Sequence, residues 1–188
     1  MRNLHIAVLI LLLACITTGC TSEIELVGYG RRPGIQHGLK VELISNGPSG
    51  ALVSVQNMSS NIISINQSPL AIMISIKRRQ GEGLVAAEPC DRIMIHMNTT
   101  PQPDDFVIIA PRQTRNIPVP VSYKADQYRT LDQIYRIEKG NLYEVEVRLD
   151  PYFGTFTNET AGKTLADFMI PNYLCKPLTM NTITIRTR

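Results

Sequence analysis

Strict alternation of apolar and polar residues in short runs is the feature of this sequence that most restricts its fold. The clearest run is LYEVEVRL at positions 142–149, whose apolar side chains would share one face of a strand while the charged side chains share the other. Similar runs begin near positions 39, 51, 72, 93 and 182, with turn-forming residues between them. A sheet with one apolar face must bury that face against a second layer. The sequence therefore predicts an all-β protein built as an antiparallel β-sandwich.

Two segments have helical patterns instead. In segment 130–140, Thr130 is placed to cap a helix with Gln133 as its capping-box partner, and Gly140 would end that helix. Segment 160–169, TAGKTLADFM, has apolar residues at helical spacing near its end. We therefore expect one or two short helices beside the sheets.

The order of elements in segment 104–147 resembles that of immunoglobulin-like sandwiches. It reads as a strand, a corner, a second strand, a crossover and then a glycine and a tyrosine that open the next strand. Pro118 and Pro120 lack the amide hydrogen that a central strand needs, so the second strand is expected at a sheet edge or with its missing donors facing outward. The resemblance implies a tyrosine corner at Tyr143, three residues after Gly140, whose hydroxyl would bond to upstream backbone. An ordinary half-buried strand tyrosine is the alternative.

A hydrophobic leader precedes these strands. Arg2 is followed by an uncharged apolar run at 6–16, which is shorter than the roughly 20 residues that span a bilayer. The stretch TTGC that follows resembles the lipobox of bacterial lipoproteins, which implies cleavage after Gly19 and lipidation of Cys20. By the same resemblance, Thr21 after the cysteine favours the outer membrane. The alternatives are a plain membrane anchor or a signal peptide cut elsewhere.

The leader and the composition of the next segment suggest three regions. Residues 1–19 are expected to be a lipoprotein signal peptide, and residues 39–188 the β-sandwich. Residues 20–38 contain four glycines and no sustained periodicity, which predicts a lipidated cysteine followed by a flexible tether. An ordered first strand that begins near Ile24 is the alternative for this segment.

Two cysteines remain after the leader and the lipidated residue are set aside. In an oxidising compartment, Cys90 and Cys175 are expected to form a disulfide, with two free thiols as the alternative. His37 and His96 have no further ligand at metal-binding spacing. No metal and no cofactor are therefore expected.

Catalytic motifs are missing from the sequence. The stretches LVSVQNMSSNIISI and DDFVIIAP are weakly similar to the small β-domain that precedes the catalytic domain of deuterolysin-type proteases, but the His-Glu-x-x-His motif of such proteases is absent. The adjacent carboxylates Asp104 and Asp105 are expected to be solvated or to cap a strand. The chain is therefore not expected to be an enzyme, and no small-molecule substrate is inferred.

Two loops are candidate surfaces for a partner. Tyr152, Phe153 and Phe156 lie within five positions in DPYFGTFTNET, where they are either tucked under the loop or exposed as binding residues. The segment 78–92 is expected to be a second surface loop. With 19 Lys and Arg against 16 Asp and Glu, the chain has no basic excess that would suggest nucleic acid as a partner.

These features predict a lipoprotein anchored in the bacterial cell envelope that acts as a non-catalytic protein-binding or envelope-assembly component. The expected partner is another envelope protein or a secreted protein. One alternative is a subunit similar to the small β-sandwich lipoprotein of type VI secretion, a likeness carried by the size, the leader and the strand opened by Ser68, Pro69 and Leu70. Another is an inhibitor or accessory domain for an exported protease.

Overall fold

The computed structural model describes residues 24–31, 34–46, 50–94, 97–124 and 126–188. Within these residues the chain forms an antiparallel β-sandwich with one α-helix, as the alternation predicts. The predicted signal peptide, the predicted lipidation site Cys20 and the candidate His96 lie outside the described residues. In the described part of the chain, no helix combines the length and apolarity that crossing a membrane requires.

The larger sheet runs through five strands, and a sixth short strand lies beside its centre. Its path is β1, β15, β13, β5 and β6, and β14 pairs with the far end of β13. These strands span Ile24–Tyr29 (β1), Ile72–Gln80 (β5), Gly83–Ala86 (β6), Leu142–Leu149 (β13), Leu178–Thr179 (β14) and Ile183–Thr187 (β15). Along β13 the burial alternates as its sequence predicts, and Tyr143, Val145, Val147 and Leu149 are buried.

The second sheet faces the first and has the order β2 (Leu39–Ser45), β3 (Ala51–Asn57) and β9 (Thr114–Val119). The hairpin of β2 and β3 is in register from Leu39 opposite Asn57 to Ser45 opposite Ala51. β9 pairs only with β3, so Pro118 lies in an edge strand, as expected. Both sheets contribute to one core, in which Val41, Val53 and Ile117 pack with Ile76, Val145 and Ile183.

The order of strands is that of an immunoglobulin-like sandwich. β2, β3 and β9 match the A-B-E order of one sheet, and β15, β13 and β5 match the G-F-C order of the other. The predicted tyrosine corner is also present. The buried Tyr143 hydroxyl accepts a hydrogen bond from the Glu138 backbone N–H at 3.0 Å, and Gly140 turns the chain with φ +81°.

Two small sheets complete the β structure. One pairs β4 (Ile63–Asn66) with β8 (Phe106–Ile109), and the other has the order β10 (Ser122–Lys124), β11 (Gln127–Arg129), β12 (Gln133–Arg136) and β7 (Asp91–Arg92).

The helix predicted for segment 130–140 is wrong, because this segment contains β12. Thr130 and Gln133 do interact: the Thr130 hydroxyl accepts from the Gln133 N–H at 3.2 Å, and the Thr130 N–H donates to the Gln133 carbonyl at 2.9 Å. These bonds close the turn between β11 and β12. Tyr135 pairs with Tyr128 of β11 and is buried in the main core. This burial favours a strand over a helix in this segment.

The second predicted helix is confirmed as α1 (Asn158–Asp167). It begins where the Thr157 N–H donates to the Thr160 hydroxyl at 3.0 Å. Leu165 and Phe168 pack against neighbouring aromatic side chains, whereas Met169 is 85% exposed.

The predicted flexible tether is wrong for the residues that form β1, and the ordered alternative is confirmed. β1 pairs with β15 from Ile24 opposite Thr187 to Tyr29 opposite Ile183, and Ile24 is part of the main core. The sandwich thus includes residues that begin at position 24 instead of 39. Pairing with the last strand of the chain provides the order that the local composition does not predict.

Candidate binding surface

The aromatic residues of the 150–160 loop form a satellite core beneath it. Phe156 is fully buried and Phe153 is 7% exposed. The ring of Phe156 lies 5.2 Å from that of Phe106 and 5.7 Å from that of Tyr173, both with edge-to-face geometry. The tucked alternative is therefore the one observed, and Phe153 and Phe156 have little surface left for a partner.

Tyr152 differs from the other two candidates because it is only partly buried. Its ring packs against Phe156 at 5.6 Å, and its hydroxyl donates to the Asn158 side chain at 3.0 Å. Burial raises the pKa of Tyr152 to about 12, and the Cys175 thiol nearby contributes to the shift. Tyr152 therefore ties the loop to the start of α1.

The predicted disulfide between Cys90 and Cys175 is absent, since both side chains are free and exposed. The Cys90 backbone N–H donates to the Ile134 carbonyl at 2.8 Å, which places it beside β12. The Cys175 sulfur lies 3.7 Å from the Tyr173 carbonyl, beside the aromatic cluster. The two thiols are thus held beside different elements of the fold.

The other polar candidates that the structure describes lie in turns. The Asp105 carboxylate accepts a hydrogen bond from the Gln102 N–H at 2.7 Å and so caps the turn before β8. His37 lies in the turn that leads into β2, with φ +51°. Among the described residues, no group of three or more His, Cys, Asp or Glu side chains could hold a metal ion.

A cleft of about 440 Å³ lies on the outer face of the larger sheet. Its outward-facing side chains come from neighbouring strands: Met73 and Ser75 on β5, Glu146 and Arg148 on β13, with Thr182 just before β15. The Glu146 carboxylate accepts hydrogen bonds from the Lys77 ammonium group at 2.7 Å and from the Ser75 hydroxyl at 3.1 Å. The hydrogen bond from Lys77 is the main cause that lowers the pKa of Glu146.

Arg148 and Met73 are the side chains of this cleft with most freedom to meet a ligand. They lie directly opposite each other on β13 and β5, and Met73 is 55% exposed. Among the described residues, the ionic neighbour of Arg148 is the Asp150 carboxylate at 3.7 Å, a distance too long for a good hydrogen bond. The cleft thus presents an apolar side chain beside a guanidinium group.

Two buried or half-buried amides hold the wall of the cleft in place. The Asn181 side chain accepts from the Leu43 N–H at 2.8 Å and donates to the Leu43 carbonyl at 3.1 Å, joining the two sheets. The Gln36 side chain makes the same paired contacts with the Thr179 backbone, at 2.6 Å and 3.1 Å. The wall is therefore built into the sandwich.

Sequence reasoning missed this cleft because its residues come together only through the pairing of distant strands. The one local signal in the sequence was Met73, an apolar residue at a position of β5 whose side chain points away from the core.

A second cleft, of about 530 Å³, runs along α1 beside Thr100, and Thr160, Lys163 and Thr164 line it. Its lining mixes threonines with charged side chains and Phe168, and this mixture suggests no particular chemistry.

Comparison of the chain with protein-family models, with curated proteins and with solved structures finds no match.

Proposed function

We propose that this protein is a lipid-anchored component of the bacterial cell envelope that binds another envelope or secreted protein without catalysis. Cys20 would carry the lipid. Burial of acyl chains contributes about 0.8 kcal/mol per CH₂ group, so two or more chains suffice for stable anchoring. The lipobox resemblance of residues 17–20 supports the anchor, and Thr21 supports the outer membrane.

The observation that carries the proposal is that the larger sheet has the start of β1 at one end and the cleft toward the other. Ile24 begins β1 at one end, and the four Cα–Cα steps from Cys20 to Ile24 reach at most about 14 Å. The cleft around Met73 and Arg148 lies toward the opposite end of the same sheet, because Tyr143 pairs with Arg78 at one end and Arg148 with Met73 near the other. An anchor at Cys20 would hold the first end near the membrane and direct the cleft away from it.

The anchor is tested by cell fractionation. The full chain is expected in the membrane fraction, and Cys20→Ala is expected to move it to the soluble fraction. Cys15→Ala is the matched control, because it removes the neighbouring cysteine of the leader. A Cys20→Ala protein that still fractionates with membranes would refute the anchor.

The binding role is tested by crosslinking in intact envelopes followed by purification of the full chain. We expect a discrete partner that is retained by Arg115→Glu and lost with Arg148→Glu. Arg115 is an exposed residue of β9 on the other sheet, so its variant carries the same change of charge. Recovery of no partner by the wild-type chain would reject the binding role.

A further inference from the structure

β6 is an uncovered edge of the larger sheet. Among the described strands it pairs only with β5, and its residues Gly83–Ala86 are all exposed. Leu84 is 42% exposed on the outer face, where it lies opposite Arg79. Val85 is 49% exposed on the opposite face, so neither face of this strand is covered. The sequence predicted a surface loop here, and the structure replaces it with a sheet edge.

The hydrogen-bond pattern shows which backbone groups of β6 are free. Gln80 and Gly83 close a two-residue turn, and Ala87 N–H donates to the Ile76 carbonyl at 2.8 Å. Because bonded pairs alternate in an antiparallel ladder, Gly83 and Val85 face β5 while Leu84 and Ala86 point their N–H and C=O groups outward. No backbone partner for Leu84 or Ala86 occurs among the described residues.

The edge lacks most of the features that usually block strand addition. Natural edge strands are protected by lysine, proline, a β-bulge or a covering element, or by being short. β6 is short, but it contains only Gly, Leu, Val and Ala, and its pairing with β5 has no register shift. It therefore remains able to accept another strand.

The charges around the edge favour a basic partner. On β5 the positive side chains are already paired: Lys77 lies 2.7 Å from Glu146, and Arg79 lies 3.3 Å from Glu144. Glu82 and Glu88, which flank β6 on either side, make no ion pair in the described part of the chain. The exposed apolar edge thus has an unpaired carboxylate at each end.

We propose that β6 is the docking site for an extended segment of a partner protein, which adds as a strand and has an apolar centre with basic residues at both ends. The segment would pair with the outward groups of Leu84 and Ala86 and place its basic residues near Glu82 and Glu88. Such strand addition takes its affinity from main-chain hydrogen bonds and its specificity from side chains. This inference rests on the proposed protein-binding role and is independent of the lipid anchor.

A second copy of this chain fits the edge less well. The register that uses all the outward groups pairs Leu84 of each copy with Ala86 of the other. That register places Glu82 directly opposite Glu88 at both ends, and like charges in that position are destabilising. A heterologous basic segment meets no such repulsion.

Peptide binding to the purified full chain in detergent tests the proposal. The probes are a peptide of about seven residues that alternates valine and threonine with a lysine at each end, and the same peptide with glutamate at each end. We expect the lysine peptide to bind at least about tenfold more tightly. Equal binding of the two peptides, or no binding of either, would overturn the proposal.

Variants of β6 distinguish strand addition from non-specific electrostatic binding of the peptide. Leu84→Pro removes one outward N–H without touching the pairing with β5, and proline is tolerated at edges. It is expected to abolish binding of the lysine peptide, whereas the control Leu84→Thr retains it. The double variant Glu82→Lys and Glu88→Lys, which leaves β6 intact, should reverse the preference to the glutamate peptide. Unchanged binding in Leu84→Pro, or unchanged preference in the double variant, would reject docking at β6.

Two further outcomes have distinct meanings. Concentration-dependent dimers of the wild-type chain that Leu84→Pro dissociates would show that a second copy occupies the edge, and would overturn the proposal. If neither peptide binds while the envelope crosslink to a partner persists in Leu84→Pro, the proposed function stands and the docking site is elsewhere.

Discussion

At the scale of single residues, Tyr143 connects a local sequence pattern with the tertiary structure. Its ring belongs to the main core, while its hydroxyl accepts the Glu138 N–H five residues upstream. This one contact ties the turn at Gly140 to the centre of the larger sheet. The sequence suggested it through the glycine, the tyrosine and the alternation that follows them.

Tyr143→Phe is expected to lower the free energy of unfolding by about 1–2 kcal/mol, because the Glu138 N–H loses its partner. Urea denaturation measures this change. Tyr123→Phe is the matched control, since the Tyr123 hydroxyl is buried without a hydrogen-bond partner in the described part of the chain. That control is expected to be neutral or slightly stabilising, and equal losses in the two variants would contradict the role given to the Tyr143 hydroxyl.

Thr130 illustrates the limit of local patterns at the same scale. A threonine followed three residues later by glutamine fits a helix start, but the same spacing also closes the turn between β11 and β12. Burial of Tyr135 against the core decides between the two, and that contact depends on residues far away in sequence.

At the scale of elements, the pairing of β1 with β15 joins the first described strand to the end of the chain. Glu25 on β1 receives hydrogen bonds from Arg188 at 2.8 Å and from Arg186 at 3.2 Å. These bonds, with that of Arg188 the larger, lower the pKa of Glu25 from 4.5 to about 2. The Glu25 side chain is 27% exposed and so still reached by solvent, and salt is expected to weaken the interaction.

The stability of this sheet edge should therefore depend on pH in the acid range. Because the pKa is lower in the folded state, the stabilising contribution is complete above about pH 4.5 and is lost as the pH falls toward 2. Glu25→Gln should flatten the dependence of the unfolding midpoint on pH in this window, and high salt should have the same effect on the wild type. The control is Glu159→Gln on α1, which removes an exposed carboxylate that makes no ion pair with any residue the structure describes. An identical acid response in wild type and Glu25→Gln would contradict the pairing.

Among the elements, β13 and α1 were predictable because their patterns are long and regular. β1 and β6 were not, since their sequences are short and contain glycine, and they become strands only by pairing with β15 and β5. The candidate cleft has the same origin. Met73 and Arg148 are 75 positions apart in the sequence and become direct neighbours only through the β5–β13 register.

At the scale of the whole molecule, the reactivity of the two cysteines reports whether the elements that hold them are as far apart as the fold requires. With Cys90 beside β12 and Cys175 beside the aromatic cluster, both thiols are expected to react with a thiol reagent in the folded, unreduced protein. Counting labelled peptides by mass spectrometry measures this. Cys90→Ser should leave the labelling of Cys175 unchanged. Protection of both thiols until a reductant is added would show that they are bridged.

Periods of two and 3.6 residues along the chain already indicate which side chains share a face, where α1 lies and that two apolar faces must meet. The proline-containing edge strand and Tyr143 also indicate the immunoglobulin-like order. Tertiary contacts are needed to make β1 and β6 strands, to place Phe153 and Phe156 in a core, and to keep Cys90 and Cys175 apart. Each of these depends on contacts between residues distant in the chain, which local periodicity does not specify.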